Sequence, residues 1–541
     1  MYILNDGLCL ASYALYERLE SVRCDLFNMI TVIIALITIL SLYVFGTRTY
    51  KYWEQRGIKH DKPIPFLGNN ARNFLMQASQ TEIVVEMYWK YPKEKVVGFY
   101  RAFRPELVVR DPEIVKRVLT TDFVHFYPRG INSHKKVIEP MLRNLFFADG
   151  DVWRLLRQRM TPAFTSGKLK AMFPLIVERA ERLQVRVLDA ASRGHIIDAR
   201  ELLARYTTDF IGACGFGLES DSLNDENSAF RQLGAKFFSL NAKQLFISTL
   251  KIMFPEIFKY AKTLAEVESD IVPLVKEILK QRNYQPSGRN DFIDLLLECK
   301  AKGTIVGESI EHFKPDGVPE IVKLEMDDLL MAAQVLVFFA AGFETSSSTT
   351  SYTLHQLAYN PDVQKKVQSE IDRVLAKYDN KLSYDAIKEM TYLECAFKEG
   401  MRIFPSVGFL TRQCVTKYTI PEIEVTIDPG VQILIPIQAM QNDPQYFANP
   451  EQFRPERFLP EEFDSNNKYV YLPFGVGPRA CIGERLGLMQ SLAGLAAILS
   501  CCSVEPGPTT IRNLKMNPKS RIVQTIEGGI PLVFRKRDIQ N

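Results

Sequence analysis

The stretch PFGVGPRACIGERLG, Pro473–Gly487, constrains this chain more than any other, because it fixes both a backbone shape and a chemistry. One cysteine, Cys481, stands among Gly475, Gly477 and Gly483, between two arginines and ahead of an apolar helical pattern. Glycine permits left-handed turns and close backbone approach. A helix beginning at about Ile482 sets its positive end beside the sulfur and favours thiolate over thiol. Arg479 adds a cation that could also pair with an anionic cofactor group. The ordinary alternative is a structural cysteine buried near a turn, and that reading suits Cys214 and Cys299.

The rest of the composition narrows the function class. The 541 residues are 46% hydrophobic and 24% charged, a globular balance. A net charge of +4 gives no case for a nucleic-acid partner. Nine cysteines, odd in number, widely spaced and without a C-x-x-C pair, form neither a disulfide framework nor a zinc site. That usage suits a reducing compartment. The six histidines show no metal-ligand spacing and read as surface or satisfied core positions.

The segment MITVIIALITILSLYVFG, residues 29–46, carries no charge over about the length that crosses a bilayer. Arg48, Lys51, Arg56, Lys59 and Lys62 follow it, whereas only Arg18 and Arg23 are basic before it. The positive-inside tendency places everything after Gly46 in the cytoplasm. No small-residue cleavage site follows, so the segment reads as a transmembrane signal anchor rather than a removed leader. Residues 1–28 are an N-terminal extension, with Met29 as an alternative start. Residues 47–69 are basic and proline-rich, and KPIPFLGN reads as a stiff extended linker.

Residues 70–541 read as one large, mainly α domain with small β elements. VVGFYR and ELVVRD are two short strands. From about 112 to 400 the pattern is helical. IEVTI and VQILIPI flank Asp428-Pro429-Gly430, a hairpin signal. No repeat or low-complexity linker divides the region.

Three further groups of residues stand out. Glu399 and Arg402, three apart in KEGMRIF, share a helix face, which by itself is a common surface pair. The window Met326–Asn360 could form one helix of roughly 50 Å at 1.5 Å per residue. Gly342 in its middle costs about 1 kcal/mol relative to alanine, so something must approach the backbone there. Phe338, Ala341 and Thr345 share a face beside Gly342; small residues open a groove and Thr345 supplies a hydroxyl. Packing of a serine- and threonine-rich core helix explains the hydroxyls but not Glu344 in an apolar context. Trp153 and Arg157 are four apart in DVWRLLRQ. For Arg154 and Arg159 a solvated basic face is preferred, and those two could help dock an acidic partner.

Phe474, Gly477, Arg479, Cys481 and Gly483 match F-x-x-G-x-R-x-C-x-G, and the chain thereby resembles the cytochrome P-450 superfamily of haem-thiolate proteins. KEGMRIF, FRPERF and AAGFETSS lie in the order that family requires. The resemblance covers nearly the whole chain from about residue 30. Through PIPFLGN, TPAFTSGKLK, TSYTLHQLA and ACIGERLGLMQSLAGLAAILS it is similar to microsomal insect family 6, lepidopteran-type in particular. It implies the cytochrome P-450 fold and haem as cofactor, with Cys481 as the axial iron ligand. Phe474, Gly475, Gly483, Ala341 and Gly342 would line the cofactor, and Trp153, Arg157, Arg412 and Arg479 would meet its propionates. Glu399, Arg402 and Arg457 become a buried structural network behind the haem. Thr345 hydrogen-bonds and delivers protons at bound dioxygen, with Glu344 in the relay. Val476 departs from the polar or acidic residue many relatives carry, in a loop near the expected partner face.

No G-x-G-x-x-G opens a helix after a strand, so NADPH is not bound by that route. The resemblance implies electrons from NADPH–cytochrome P-450 reductase on the same endoplasmic reticulum membrane, helped by cytochrome b5. The expected reaction inserts one oxygen atom of O₂ into an apolar substrate. Phenylalanines crowd the expected pocket: Phe146 and Phe147, Phe338 and Phe339, Phe404 and Phe409, with Ser406 among them. Core packing is the default for most of them. If several face the cofactor, flat aromatic substrates stack well there. Xenobiotic detoxification is the first reading, and oxidation of an endogenous lipid-like or hormone substrate the second. A reductase-independent haem-thiolate isomerase, whose members often lack the groove threonine, and a non-catalytic membrane binder of haem or hydrophobes are the remaining alternatives.

Overall fold

The structure is a computed structural model that describes residues 3–217, 221–225, 228–238, 241–289, 291–463 and 465–538. One helix spans Ile3–Thr47, and its stretch Asp25–Thr47 is apolar and long enough to cross a membrane. The side chains of residues 1–22 and of Cys24 lie outside the described residues, so the expected 1–28 extension is known here only as helix from Ile3.

The segment after this helix is not an extended linker. Trp53 is fully buried, and its indole N–H donates to the Phe99 carbonyl at 3.1 Å. Ile64 and Gly68 pair across a tight turn that holds Pro65. The apolar residues interleaved with the basic ones decide this, because they cover the first sheet. Phe45, at the end of the apolar helix, packs edge-on against Phe103 at 5.3 Å and stacks with Phe254 at 6.1 Å.

The strands are short. β1 (Val96–Arg101) and β2 (Arg104–Val109) are the two expected strands, and they pair as an antiparallel hairpin. β3 (Ile196–Asp198) lies between two helices. β4 (Ile305–Phe313) and β5 (Pro319–Leu324) make a hairpin within the span expected to be helical. β6 (Leu410–Gln413), β7 (Tyr418–Ile420), β8 (Val425–Ile427) and β9 (Gln432–Ile435) follow, then β10 (Cys502–Pro506) and β11 (Pro531–Lys536). The first sheet runs β1-β2-β9-β6, with β2 and β9 parallel.

The expected hairpin across Asp428-Pro429-Gly430 does not form. β8 pairs with β7, while β9 inserts between β2 and β6. Gly430 does turn the chain, at φ +96°. The apolar run Ile433–Ile435 is fully buried and takes the central place of a different sheet. Such a run needs cover on both faces, which a two-stranded hairpin cannot give.

The helices carry the core. The central helix, Asp328–Tyr359, is capped by Asp327, whose carboxylate accepts from the Leu330 N–H. It packs against helix Ala199–Ile211, against Thr391–Ile403 and against Glu484–Cys501. One apolar cluster joins these helices; a second sits under the first sheet. Val476 is half-buried against that second cluster.

Candidate active site

One cavity of about 1040 Å³ lies between the central helix, the first sheet and the cysteine loop. Cys481 opens on to it, and so do Ala341, Gly342, Glu344 and Thr345 from the central helix. The loop that presents the sulfur is tied to itself and to its surroundings. The Cys481 N–H donates to the Phe474 carbonyl at 2.9 Å, and that of Ala480 to Gly477 at 3.0 Å. Gly475 and Gly477 hold φ +68° and +80°, the left-handed region. A Cβ at Gly477 would strike the Leu119 carbonyl oxygen at 2.0 Å, so glycine there lets the loop lie on a neighbouring turn. Helix Glu484–Cys501 follows two residues later than expected, with Gly483 as its N-cap and open space at that residue's Cα.

The thiol does not ionise more easily in this setting. Burial pushes the Cys481 thiol up. The Gly483 N–H, Arg157 and Arg129 pull it down, and Arg479 is not among the groups that do so. The helix end and cations therefore offset desolvation only in part.

Arg479 lines the cavity and is also bonded within the protein. It donates from Nε to the Tyr127 carbonyl, from Nη1 to Ala148 and from Nη2 to Asp149, each at 2.9 Å. Its guanidinium lies 4.0 Å over the Trp153 ring. All three nitrogens are thus engaged within the protein, and the residue clamps the loop to the segment before helix Gly150–Met160. Arg157, from that helix, donates to the Ala480 carbonyl at 2.7 Å. Arg412, fully buried on β6, makes one bond, to the neighbouring Thr411 carbonyl, and its Nε has no partner among the described residues.

Arg129 was not legible as a site residue, since no motif surrounds it. Its guanidinium reaches the Phe146 and Arg479 carbonyls at 2.8 and 3.1 Å. Burial pushes Arg129, Arg412 and Arg479 down, to about 10, 9 and 8. Arg129 adds repulsion at the other two, and Asp149 alone supplies an opposing carboxylate beside all three. Arginine keeps its charge. The arrangement therefore has a surplus of positive charge, an orphaned guanidinium nitrogen and a sulfur opening on one cavity. That donor set fits a planar cofactor with a thiolate-bound metal and carboxylate arms.

The central helix differs from expectation in two details. Thr345 and Glu344, as consecutive helical residues, point about 100° apart. The Thr345 hydroxyl donates to the Ala341 carbonyl at 2.5 Å, which leaves its oxygen as an acceptor toward the cavity. Glu344 is buried and paired with Arg200 at 2.6 Å, a partner with no sequence signal. Gly342 makes room for Ile211, not for a cofactor alone: a Cβ there would meet Ile211 Cδ1 at 2.3 Å.

Glu399, Arg402 and Arg457 meet as expected. Arg402 grips both Glu399 oxygens at 2.8 and 2.9 Å, and Arg457 reaches one at 3.3 Å. Backbone carbonyls take the remaining donors, including Gln441 and Pro450 from Arg402. Gln441 in turn accepts from the Leu472 N–H at 3.0 Å, which carries the network to the start of the cysteine loop.

Phe146, Phe147, Phe338, Phe409 and Ser406 all line the cavity. Phe339 packs instead on Phe216 and Phe343, and Phe404 on Tyr352. Arg154 and Arg159 are not free cations. The β4–β5 hairpin lies along their helix; Glu308 pairs with Arg154 at 3.6 Å, and the Thr304 carbonyl accepts from Arg159. The turn Pro315-Asp316-Gly317 was the signal for this hairpin. His312 on it comes within 4.8 Å of Asp151 and Glu311, whose carboxylates already accept from Ile310 and Asp151 N–H groups.

A family model described as Cytochrome P450 matches residues 59–532. The chain belongs to the cytochrome P450 family. Cytochrome P450 6B7 of Helicoverpa armigera is 38% identical over 512 residues, covering 93% of this chain and 97% of that relative. Cytochrome P450 6a2 of Drosophila melanogaster is also 38% identical, over 520 residues, 94% of this chain and 99% of the relative. Cytochrome P450 6B1 of Papilio polyxenes is 36% identical over 506 residues, 92% and 98% of the two chains. The protein is thus a P450 monooxygenase of insect family 6 type, a haem protein that receives NADPH electrons through a separate reductase.

Proposed function

We propose that this P450 is anchored in the endoplasmic reticulum membrane with its catalytic domain in the cytoplasm, and that it oxidises flat, apolar xenobiotics. The observation that carries the substrate reading is the aromatic lining. Phe146 and Phe147 meet edge to face at 5.0 Å on the cavity wall, and Phe338 stacks on Phe292 at 4.1 Å beside it. Such edges and faces favour a planar ring system over a flexible chain.

In this reading Cys481 holds the haem iron, and Arg129, Arg157 and Arg412 receive the haem carboxylates. Bound haem supplies the activation of O₂ that protein side chains cannot perform. The chain's own contribution is placement and protons. The Thr345 oxygen accepts a proton donor at the groove while its hydrogen rests on Ala341. Ser406 donates to the Thr345 carbonyl at 3.0 Å and keeps this turn of helix in place. Glu344 takes part in proton supply only by exchanging its bond to Arg200.

The anchor reading is supported by residues 25–47 and by exposed apolar side chains of the body, Phe246, Ile257, Tyr260 and Leu75. The test is turnover of planar plant toxins by full-length enzyme with reductase. Phe147→Ala should lower turnover of planar substrates several-fold and spare flexible ones. Equal loss on both, or unchanged selectivity, overturns the stacking reading.

A further inference from the structure

Cys501 and Cys502 are the one pair of adjacent cysteines in the sequence. Neighbouring side chains normally diverge, by about 100° on a helix and to opposite faces on a strand. This pair sits at a junction instead. Cys501 ends helix Glu484–Cys501, and Cys502 opens β10 in extended backbone, φ −133° and ψ 150°. The change of backbone turns both sulfurs to one side, and the Cys501 thiol points at Cys502 Sγ across 3.7 Å. Among the described residues no other thiol donates to a second thiol.

The surroundings narrow what the pair can hold. A centre bonded to two thiolates at about 2.3 Å, as zinc is, spaces them roughly 3.8 Å apart at a tetrahedral angle. The bite is therefore present before any ligand arrives. Zinc itself takes four ligands in a structural site, and among the described residues no grouping of metal-ligating side chains includes these cysteines. The hydrogen bond from Cys501 pulls the Cys502 thiol down, and the charges of Arg537 and Lys536 act in the same direction. Those charges repel a free dication and leave a neutral electrophile unopposed.

Cys501 is 7% exposed and Cys502 0%. Arg537 closes this end of the helix. Its backbone N–H donates to the Cys501 carbonyl at 2.9 Å, and its Nη1 to the Leu499 and Ser500 carbonyls at 2.8 and 2.9 Å. Its Nη2 is held by Asp372 at 2.5 Å, and that carboxylate is 41% exposed. An ion pair open to water is held weakly, so Arg537 can swing out and admit a small molecule. Neither cysteine lines the large cavity.

We propose that Cys501 and Cys502 form a dithiol site for monosubstituted trivalent arsenicals, which need two thiolates and bring their own third substituent. An arsenical oxide loses its oxygen as water. Two S–H bonds and the arsenic–oxygen double bond break, two As–S bonds and two O–H bonds form, and arsenic stays trivalent, so nothing is oxidised or reduced. The site is independent of the substrate chamber and of the substrate it takes.

The experiment treats full-length haem-loaded protein with phenylarsine oxide under native conditions and maps the adduct by peptide mass. One phenylarsenic group per chain should sit on the peptide that holds Cys501 and Cys502. 2,3-Dimercaptopropanol should remove it, and the same thiol concentration supplied as 2-mercaptoethanol should not. Cys501→Ser and Cys502→Ser should each lower retention about tenfold or more, because one thiolate has no chelating partner. In the parent protein the arsenical should also shield both thiols of that peptide, and no others, from N-ethylmaleimide. That readout decides the matter if a serine variant fails to fold. Asp372→Asn, which loosens Arg537, should speed capture several-fold. An adduct on other cysteines, equal removal by the monothiol, or full retention in either serine variant overturns the site; an unchanged rate in Asp372→Asn overturns the route of entry.

Discussion

Glu399 is the single carboxylate facing two fully or nearly buried guanidinium groups, and its own side chain is 0% exposed. Breaking a buried pair by removing one partner leaves a charge without compensation. Glu399→Gln should therefore cost about 3–5 kcal/mol and lower the retained haem, read by denaturant midpoint and by absorbance of the purified protein. Arg402→Met in the same background should recover part of the stability, since it removes the stranded cation. Spacing alone marked Glu399 and Arg402 only as a common surface pair; the family resemblance is what joined Arg457 to them as a buried network. The opposite case is Arg129. It meets Phe146, Arg479 and Asp149 only after distant loops converge, so no local pattern marks it. Arg479 shows a third outcome: the residue was found from its motif, but its pairing with Asp149 carried no sequence signal.

Between elements, close approach decides where glycine stands. The helices Ala199–Ile211 and Asp328–Tyr359 touch through Ile211 and Gly342. Gly342→Ala places a methyl group against Ile211 Cδ1, and overpacking of this kind costs about 1–3 kcal/mol. Ile211→Val deletes that atom, so the double variant should regain most of the loss in a thermal or denaturant cycle. The sequence showed that a glycine in mid-helix answers to something nearby, but it could not say whether a cofactor or a neighbouring helix was the visitor. The long helices were legible from their periodicity and caps, as with Asp327. The β4–β5 hairpin and the separation of β8 from β9 were not. Strand partnership is a long-range property, and a turn signal says only that the chain bends.

At the scale of the molecule, the mainly α architecture and a single undivided body after the apolar helix followed from composition and the absence of breaks. The segment 47–69 did not, because prolines and charges hid the apolar residues that seal it to the first sheet. Exposed Phe246, Ile257, Tyr260 and Leu75 give the catalytic body apolar surface of its own. Such patches favour an interface with lipid. A chain lacking residues 1–47 should still sediment in part with liposomes, and replacing Phe246 and Ile257 by serine in that background should release it. Full release by truncation alone would remove the second contact from the account.

The seam formed by Phe45, Phe103 and Phe254 leaves no slack at the junction. With the apolar span in a bilayer, the body cannot swing like a balloon on a string. On the anchor reading proposed above it would ride at one height and one tilt, and encounters with a membrane-borne electron donor would reduce to sliding in a plane. On the same reading, ligands dissolved among lipid tails would meet the same flank of the protein each time.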